Sequence, residues 1–193
     1  GNIGFSLAKG LVKSGDYKAA EILLTRRTLV ALSEEQSLGF GISDNNTEAV
    51  KDAEIIVLAV LPQQIRKVME EIAPALVPHQ IIVSVASGVS CQDIKDILGQ
   101  DAIVVRAMPN TAIAIGQSMT CIATDTATEE VTATVSRLFE AVGAVIVIQE
   151  DLMTAATALC ACGIAFFLRA IRAASQGGVE IGFHAHDALK MAI

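Results

Sequence analysis

The apolar positions of this chain keep two rhythms that take turns. Ile55 to Leu61 and Ile81 to Val85 are near-continuous apolar runs of strand length, the first stopped by Pro62. Between them Ile65, Val68, Met69 and Ile72 recur at the three-and-four spacing of a helix face, and Pro78 ends that stretch. The alternation extends in both directions. Phe5, Leu7, Ala8, Leu11 and Val12 mark a first helix, and Ile22-Leu23-Leu24 a short strand. Ser90 caps a helix through Ile94, Ile97 and Leu98 that stops at Gly99; Ile103-Val104-Val105 is a further strand, broken at Pro109. Cys121-Ile122-Ala123, a helix marked by Val131, Val135, Leu138, Phe139 and Val142, and Val145 to Ile148 follow as edge elements.

Runs apolar on both faces and alternating with helices predict a mostly parallel sheet covered on both sides, a doubly wound α/β fold. Strand signals cease after Glu150 and helix dominates. The chain therefore reads as a Rossmann-like domain over 1–150 and the start of an all-α unit over 151–193. Leu152 to Leu168 carries no charge but falls short of the roughly 20 residues a bilayer requires, and it runs directly into Arg169 and Arg172. It predicts a buried or subunit-interface helix, with no membrane span.

Composition narrows the partners. The 193 residues are 52% hydrophobic and 18% charged, with a formal charge of −7 that repels nucleic-acid phosphates. Cys91, Cys121, Cys160 and Cys162 have no framework spacing and predict reduced, buried thiols, hence a cytoplasmic location. His184 and His186 are two apart and do not share a helical face, and His79 follows Pro78 as a loop residue; no metal site is expected.

The chemistry enters at Gly1-Asn2-Ile3-Gly4, which has the form of the back half of a dinucleotide-binding glycine turn. A glycine there admits a pyrophosphate close to the backbone, and the following helix N-terminus offers unpaired N–H groups to the anion. The second strand ends in Arg26 and Arg27, where a site for the unphosphorylated dinucleotide carries an acid. Guanidinium groups hold an adenosine 2′-phosphate by charge-assisted hydrogen bonds, so the expected cofactor is NADP(H). The strand that normally precedes such a turn is expected upstream, and a continuation is expected beyond Met191-Ala192-Ile193, which lies inside an apolar helical pattern. Ligands in these folds bind past the carboxyl ends of the strands, here Ala59 to Gln63, Val85 to Gly88 and Ala107 to Thr111. Those segments offer backbone donors, small side chains and one amide, with no Ser/His/Asp set and no Cys/His dyad. Hydride transfer needs orientation more than titratable groups, so a dehydrogenase fits better than a hydrolase.

In order along the chain, Gly1-Asn2-Ile3-Gly4, Thr25-Arg26-Arg27, Asp44-Asn45-Asn46-Thr47-Glu48, Leu58 to Gln63, Val83 to Gly88 and Arg106-Ala107-Met108-Pro109-Asn110-Thr111 resemble the pyrroline-5-carboxylate reductase family. The resemblance implies NADPH-dependent reduction of 1-pyrroline-5-carboxylate to L-proline by hydride transfer to the cyclic imine. It implies NADP contacts from Gly1, Asn2, Ile3, Gly4, Arg26, Arg27 and Asn46, from the Ala59, Val60, Leu61 and Pro62 backbone, and from Val85, Ala86 and Ser87. Met108, Pro109 and Asn110 would line the nicotinamide, Asn110 being the best polar candidate for touching cofactor or substrate, and Glu180 would sit near the substrate pocket. It also implies a helical C-terminal domain that pairs subunits in a homodimer or larger homo-oligomer.

Several positions depart from the family pattern. Leu61 stands where a lysine is usual, Ala112 where a proline is usual, and Cys162-Gly163-Ile164-Ala165-Phe166 replaces a Ser-Gly-Pro-Ala-Tyr turn, which predicts a smoother helix. The family's substrate-carboxylate loop lies after the last residue of the sequence. Two other readings stand beside this one: another NADP-dependent dehydrogenase acting on a hydroxy acid or a deazaflavin, and a non-catalytic NADP-binding regulator.

Overall fold

The computed structural model describes residues 1–193 and arranges its strands in two sheets. Strand β1 (Leu23–Thr25) pairs in parallel with β2 (Gly41–Ser43). Strands β3 (Ile55–Leu58), β4 (Ile81–Ser84), β5 (Ile103–Met108), β6 (Ser118–Ala123) and β7 (Gly143–Val147) form the second sheet in that order. All pairings are parallel except β5 with β6. The two sheets share no strand pairing with each other.

Both faces of the larger sheet are covered, and the pleat shows how. Along β4 and β5, Ile82 and Val104 point to one face while Val83 and Val105 point to the other. The first face receives α3 (Asn46–Val50), α4 (Pro62–Ile72) and α5 (Cys91–Leu98), through Val50, Ile65, Met69, Ile72 and Ile94. The second receives α1 (Asn2–Ser14) and α6 (Glu129–Glu140), through Leu7, Leu11, Val135, Leu138 and Phe139. Each fully buried aliphatic or aromatic side chain contributes about 1.5 to 3 kcal/mol, and period-two alternation lets one strand supply both cores. Strand β5 is longer than its apolar run because Arg106, Ala107 and Met108 pair antiparallel with Ala123, Ile122 and Cys121. A short helix not signalled by the pattern, α2 (Ser33–Ser37), lies between β1 and β2.

The C-terminal unit departs from expectation twice. A 3₁₀ turn (Glu150–Leu152), α7 (Met153–Ala156), a π-helical turn (Thr157–Cys162) and α8 (Gly163–Glu180) follow without a break, so the helix is not smooth before Gly163. Thr157 Oγ1 donates to the Met153 carbonyl at 2.7 Å, a back-bond of the kind that bends helices. Helix α9 (Ala185–Ala192) folds back on α8, and a Cβ on Gly178 would stand 2.9 Å from the Ala188 Cβ. The second departure is exposure. Met153 is 1% exposed and anchors the unit to the sheet, but Leu159, Phe166, Phe167 and Ile181 stay open to solvent. The whole helix Glu150–Glu180 is long and apolar enough to cross a membrane by length and composition alone. Within one chain it is not a core helix. Among the cysteines, all four are free and only Cys91 and Cys121 are buried; Cys162 is exposed, contrary to the expected burial.

Candidate cofactor and substrate site

The glycine turn forms the first wall. Gly1 is the N-cap of α1, which has no side-chain cap and no acidic residue in its first turn, so its leading N–H groups point outward unopposed. Gly4 sits against the segment after β3: a Cβ there would lie 3.0 Å from the Ala59 Cβ. The glycine thus sets how closely the helix approaches Ala59-Val60-Leu61. Arg26 follows β1, its Nη1 donating to the Ala31 carbonyl at 3.2 Å. Arg26 thus stands at the end of β1 with its guanidinium turned to the following loop, and exposed Arg27 stands beside it. Asn45, not Asn46, caps α3, accepting from the Glu48 amide at 3.0 Å; this leaves Asn46 half-buried as the first helical residue.

The second wall is made by the segments after β3 and β4. Leu61 is 64% exposed and is the N-cap of α4, with Pro62 in the first turn and no side-chain cap. Val85-Ala86-Ser87 leads to Gly88 in the left-handed region at φ 74°, where the chain turns toward the Ser90 cap of α5. A carboxylate dominates what lies beneath: Glu150 Oε1 accepts from the Cys91 amide at 2.7 Å and from Arg106 Nη1 at 3.0 Å. Burial first, then that carboxylate, pushes the Cys91 thiol up to about 12, so it is a protonated core residue and no nucleophile.

The third wall is the corner after β5, where Met108, Pro109 and Asn110 are all buried. The Asn110 amide N–H donates to Ser118 Oγ at 3.1 Å, its Oδ1 accepts from the Ala112 amide at 3.0 Å, and its Nδ2 donates to the Cys160 carbonyl at 3.2 Å. The side chain expected to touch a ligand is thus first a brace between the corner and the π-turn, with one Nδ2 hydrogen left over. Met108 packs with Cys121, Ala123 and Met153 behind the corner.

Glu180 is not brought to this corner. It is exposed at the end of α8, about 25 Å along the helix from Gly163 at 1.5 Å per residue. His184 is the N-cap of α9 and His186 lies within it, and no cluster of metal-ligating residues occurs. Sequence reasoning gave no role to Ser118, to the Cys160 carbonyl or to the Arg106–Glu150 pair. A charge inside the apolar run of β5 was the available signal for Arg106, because a buried guanidinium needs a partner. A backbone carbonyl carries no such signal.

Comparison with known proteins agrees with this geometry. A family model described as NADP oxidoreductase, coenzyme F420-dependent, matches residues 1–88, and one described as pyrroline-5-carboxylate reductase dimerisation matches residues 150–193. Pyrroline-5-carboxylate reductase 1 of Dictyostelium discoideum is 43% identical across 100% of this chain, which spans only 37% of that relative's length. Pyrroline-5-carboxylate reductase 2 of the same organism is 42% identical across 100% of this chain and 70% of its own. The structure of a pyrroline-5-carboxylate reductase from Coxiella burnetii superposes with a TM-score of 0.93 at 28% identity, covering 100% of this chain and 72% of that one. With a glycine turn against Ala59, arginines after the second strand and a Met-Pro-Asn corner braced on a helical unit, the chain belongs to the pyrroline-5-carboxylate reductase family.

Proposed function

We propose that this chain binds NADP(H) and reduces 1-pyrroline-5-carboxylate to L-proline, in the protein of which it is part. The carrying observation is an uncapped glycine-turn helix that packs against the turn after the Asn110 corner, with Arg26 at the end of β1. The residues fit the cofactor. The α1 N-terminus offers N–H groups to the pyrophosphate, and the contact of Gly4 with Ala59 leaves the turn free of side chains. Arg26 and Arg27 supply cations for the 2′-phosphate, Asn46 an amide, and Ala59 to Pro62 with Val85 to Ser87 backbone groups. When bound, the reduced cofactor supplies the hydride that converts the imine carbon to an amine carbon.

The chain's own work is orientation and exclusion of water. Met108 and Pro109 present a buried, uncharged surface, and the Asn110 brace fixes that surface while leaving one Nδ2 hydrogen for a ligand. No acid or base stands on the corner. The imine nitrogen therefore arrives already protonated, which suits an imine more than an alcohol, whose oxidation needs a base for the hydroxyl proton. The exposed apolar face of α8, within the stretch matched by the dimerisation model, supports a homodimer through the C-terminal helices. Such pairing is the route by which Glu180 reaches a substrate pocket. Free thiols fit a cytoplasmic location.

The match of residues 1–88 to an F420-dependent model keeps a second reading, a deazaflavin oxidoreductase, which shares the nucleotide-binding half only. Oxidation of NADPH and of NADH by the full-length polypeptide with pyrroline-5-carboxylate, and in parallel with a deazaflavin, separates the two. Rapid turnover with the imine supports the reductase; turnover with the deazaflavin alone overturns it.

A further inference from the structure

Cys121 and Cys160 belong to different units of the protein, yet their sulfurs stand 3.9 Å apart. Cys121 lies in β6 and is 2% exposed, packed with Met108, Ala123 and Met153. Cys160 is half-buried in the π-turn, and its backbone carbonyl is the acceptor that braces Asn110 at 3.2 Å. One residue therefore touches the partner thiol through its side chain and the Asn110 corner through its backbone. The thiol of Cys121 is pushed up to about 11 by burial first and by Cys160 next. Cys160 is the more accessible member of the pair and Cys121 the buried one.

We propose that Cys121 and Cys160 form a reversible disulfide that draws the π-turn onto β6 and loosens the Asn110 brace, slowing turnover. Hydrogen peroxide is the oxidant. The Cys160 thiol gives its proton to solvent and the thiolate attacks a peroxide oxygen; the O–O bond breaks, Cys160 becomes a sulfenic acid, and the departing hydroxide takes up a proton to become water. The Cys121 thiol then attacks the adjacent Cys160 sulfur, forming the S–S bond, and its proton passes to the departing hydroxide, which leaves as water. Two thiols are oxidised and one peroxide is reduced to two waters. A small thiol reverses the link by exchange. Closing the sulfurs from 3.9 Å to a bond length of about 2.05 Å requires a local shift of the helix, and a π-turn is a place where one residue's register is soft.

The kinetic part rests on the proposed reductase activity; the covalent part does not. Full-length protein is treated with hydrogen peroxide, alkylated and digested, and turnover is followed alongside. The expected result is a peptide pair linked Cys121 to Cys160, a fall in turnover of about fivefold, the worth of one neutral hydrogen bond, and recovery with dithiothreitol. Cys121→Ala should keep basal turnover and lose both the linked peptide and the response, while Cys162→Ser should keep both. Absence of the linked peptide, a link through Cys162, or a link that leaves turnover unchanged overturns the proposal. If the protein has no reductase activity, the peptide mass still decides whether the bond forms, so the two readings fail separately.

Discussion

Arg106 and Glu150 are 44 residues apart in sequence and form a hydrogen-bonded ion pair of 3.0 Å in the structure, with side chains only 10% and 24% exposed. The same Glu150 oxygen receives the Cys91 amide at the start of α5. One carboxylate thus joins the strand leading to the Asn110 corner, the helix that follows the Val85 to Ser87 segment, and the entry to the helical unit.

Removing it leaves a buried guanidinium and a buried amide without an acceptor. Glu150→Ala is expected to destabilise the protein by about 3 kcal/mol, and the double variant Arg106→Met, Glu150→Ala by less, because no charge is then stranded. Urea unfolding midpoints of the three proteins test this. Equal losses in the single and double variants would show that the pair does not carry the effect.

Gly4 is held against Ala59 with no space for a larger side chain. Gly4→Val is expected to cost about 1 to 3 kcal/mol in overpacking and to weaken NADPH binding more than it weakens folding, since the helix N-terminus must retreat from the Ala59 segment. Titration of cofactor fluorescence beside a thermal melt separates the two effects.

Arg26 stands at the end of β1 and carries a fixed charge that NADH cannot use. Arg26→Ala combined with Arg27→Ala should raise the KM for NADPH at least about tenfold, the order of one or two charge-assisted hydrogen bonds, while the KM for NADH changes little. A parallel loss with both cofactors would place the arginines elsewhere in the mechanism.

Lys95 is 4% exposed and spends its three donors on both Asp125 oxygens, at 2.9 and 2.7 Å, and on Thr126 Oγ1 at 2.6 Å. Burial works to raise the Asp125 carboxyl, but hydrogen bonds from Lys95 and Thr126 and the Lys95 charge outweigh it and leave it below its ordinary value. Hydrogen bonds to Ser90 lower Asp93 in the same way. A carboxyl whose folded pKa is depressed adds stability above the unfolded value of about 3.9 and loses it as pH falls through the folded one. Stability should therefore decline in acid below about pH 4. Asp125→Asn should lose about 2 kcal/mol at neutral pH and show a flatter acid limb, measured by denaturant melts across pH.

Phe166 and Phe167 are 73% and 72% exposed on α8. Phe167→Asp is expected to convert the proposed homodimer to a monomer in sedimentation velocity, since an interface core tolerates no unpaired charge. A dimer unaffected by the change would place the subunit contact on another face.

The sequence by itself determined the alternation of the main strands and helices and the two-sided core, because strand and helix periodicities are local and Ile82/Val83 and Val104/Val105 alternate whatever lies beside them, while the short β2, α2 and α3 left no signal in it. It also determined the glycine turn and the arginines, whose chemistry is in the side chains. Tertiary structure alone decided the rest. That Asn110 braces a backbone carbonyl, that Cys121 meets Cys160, and that the apolar Leu152 to Leu168 stretch stays largely exposed all depend on contacts made or missing between residues distant in sequence. Pairing across such distances is set by which surfaces the whole fold brings together, and no local pattern encodes it.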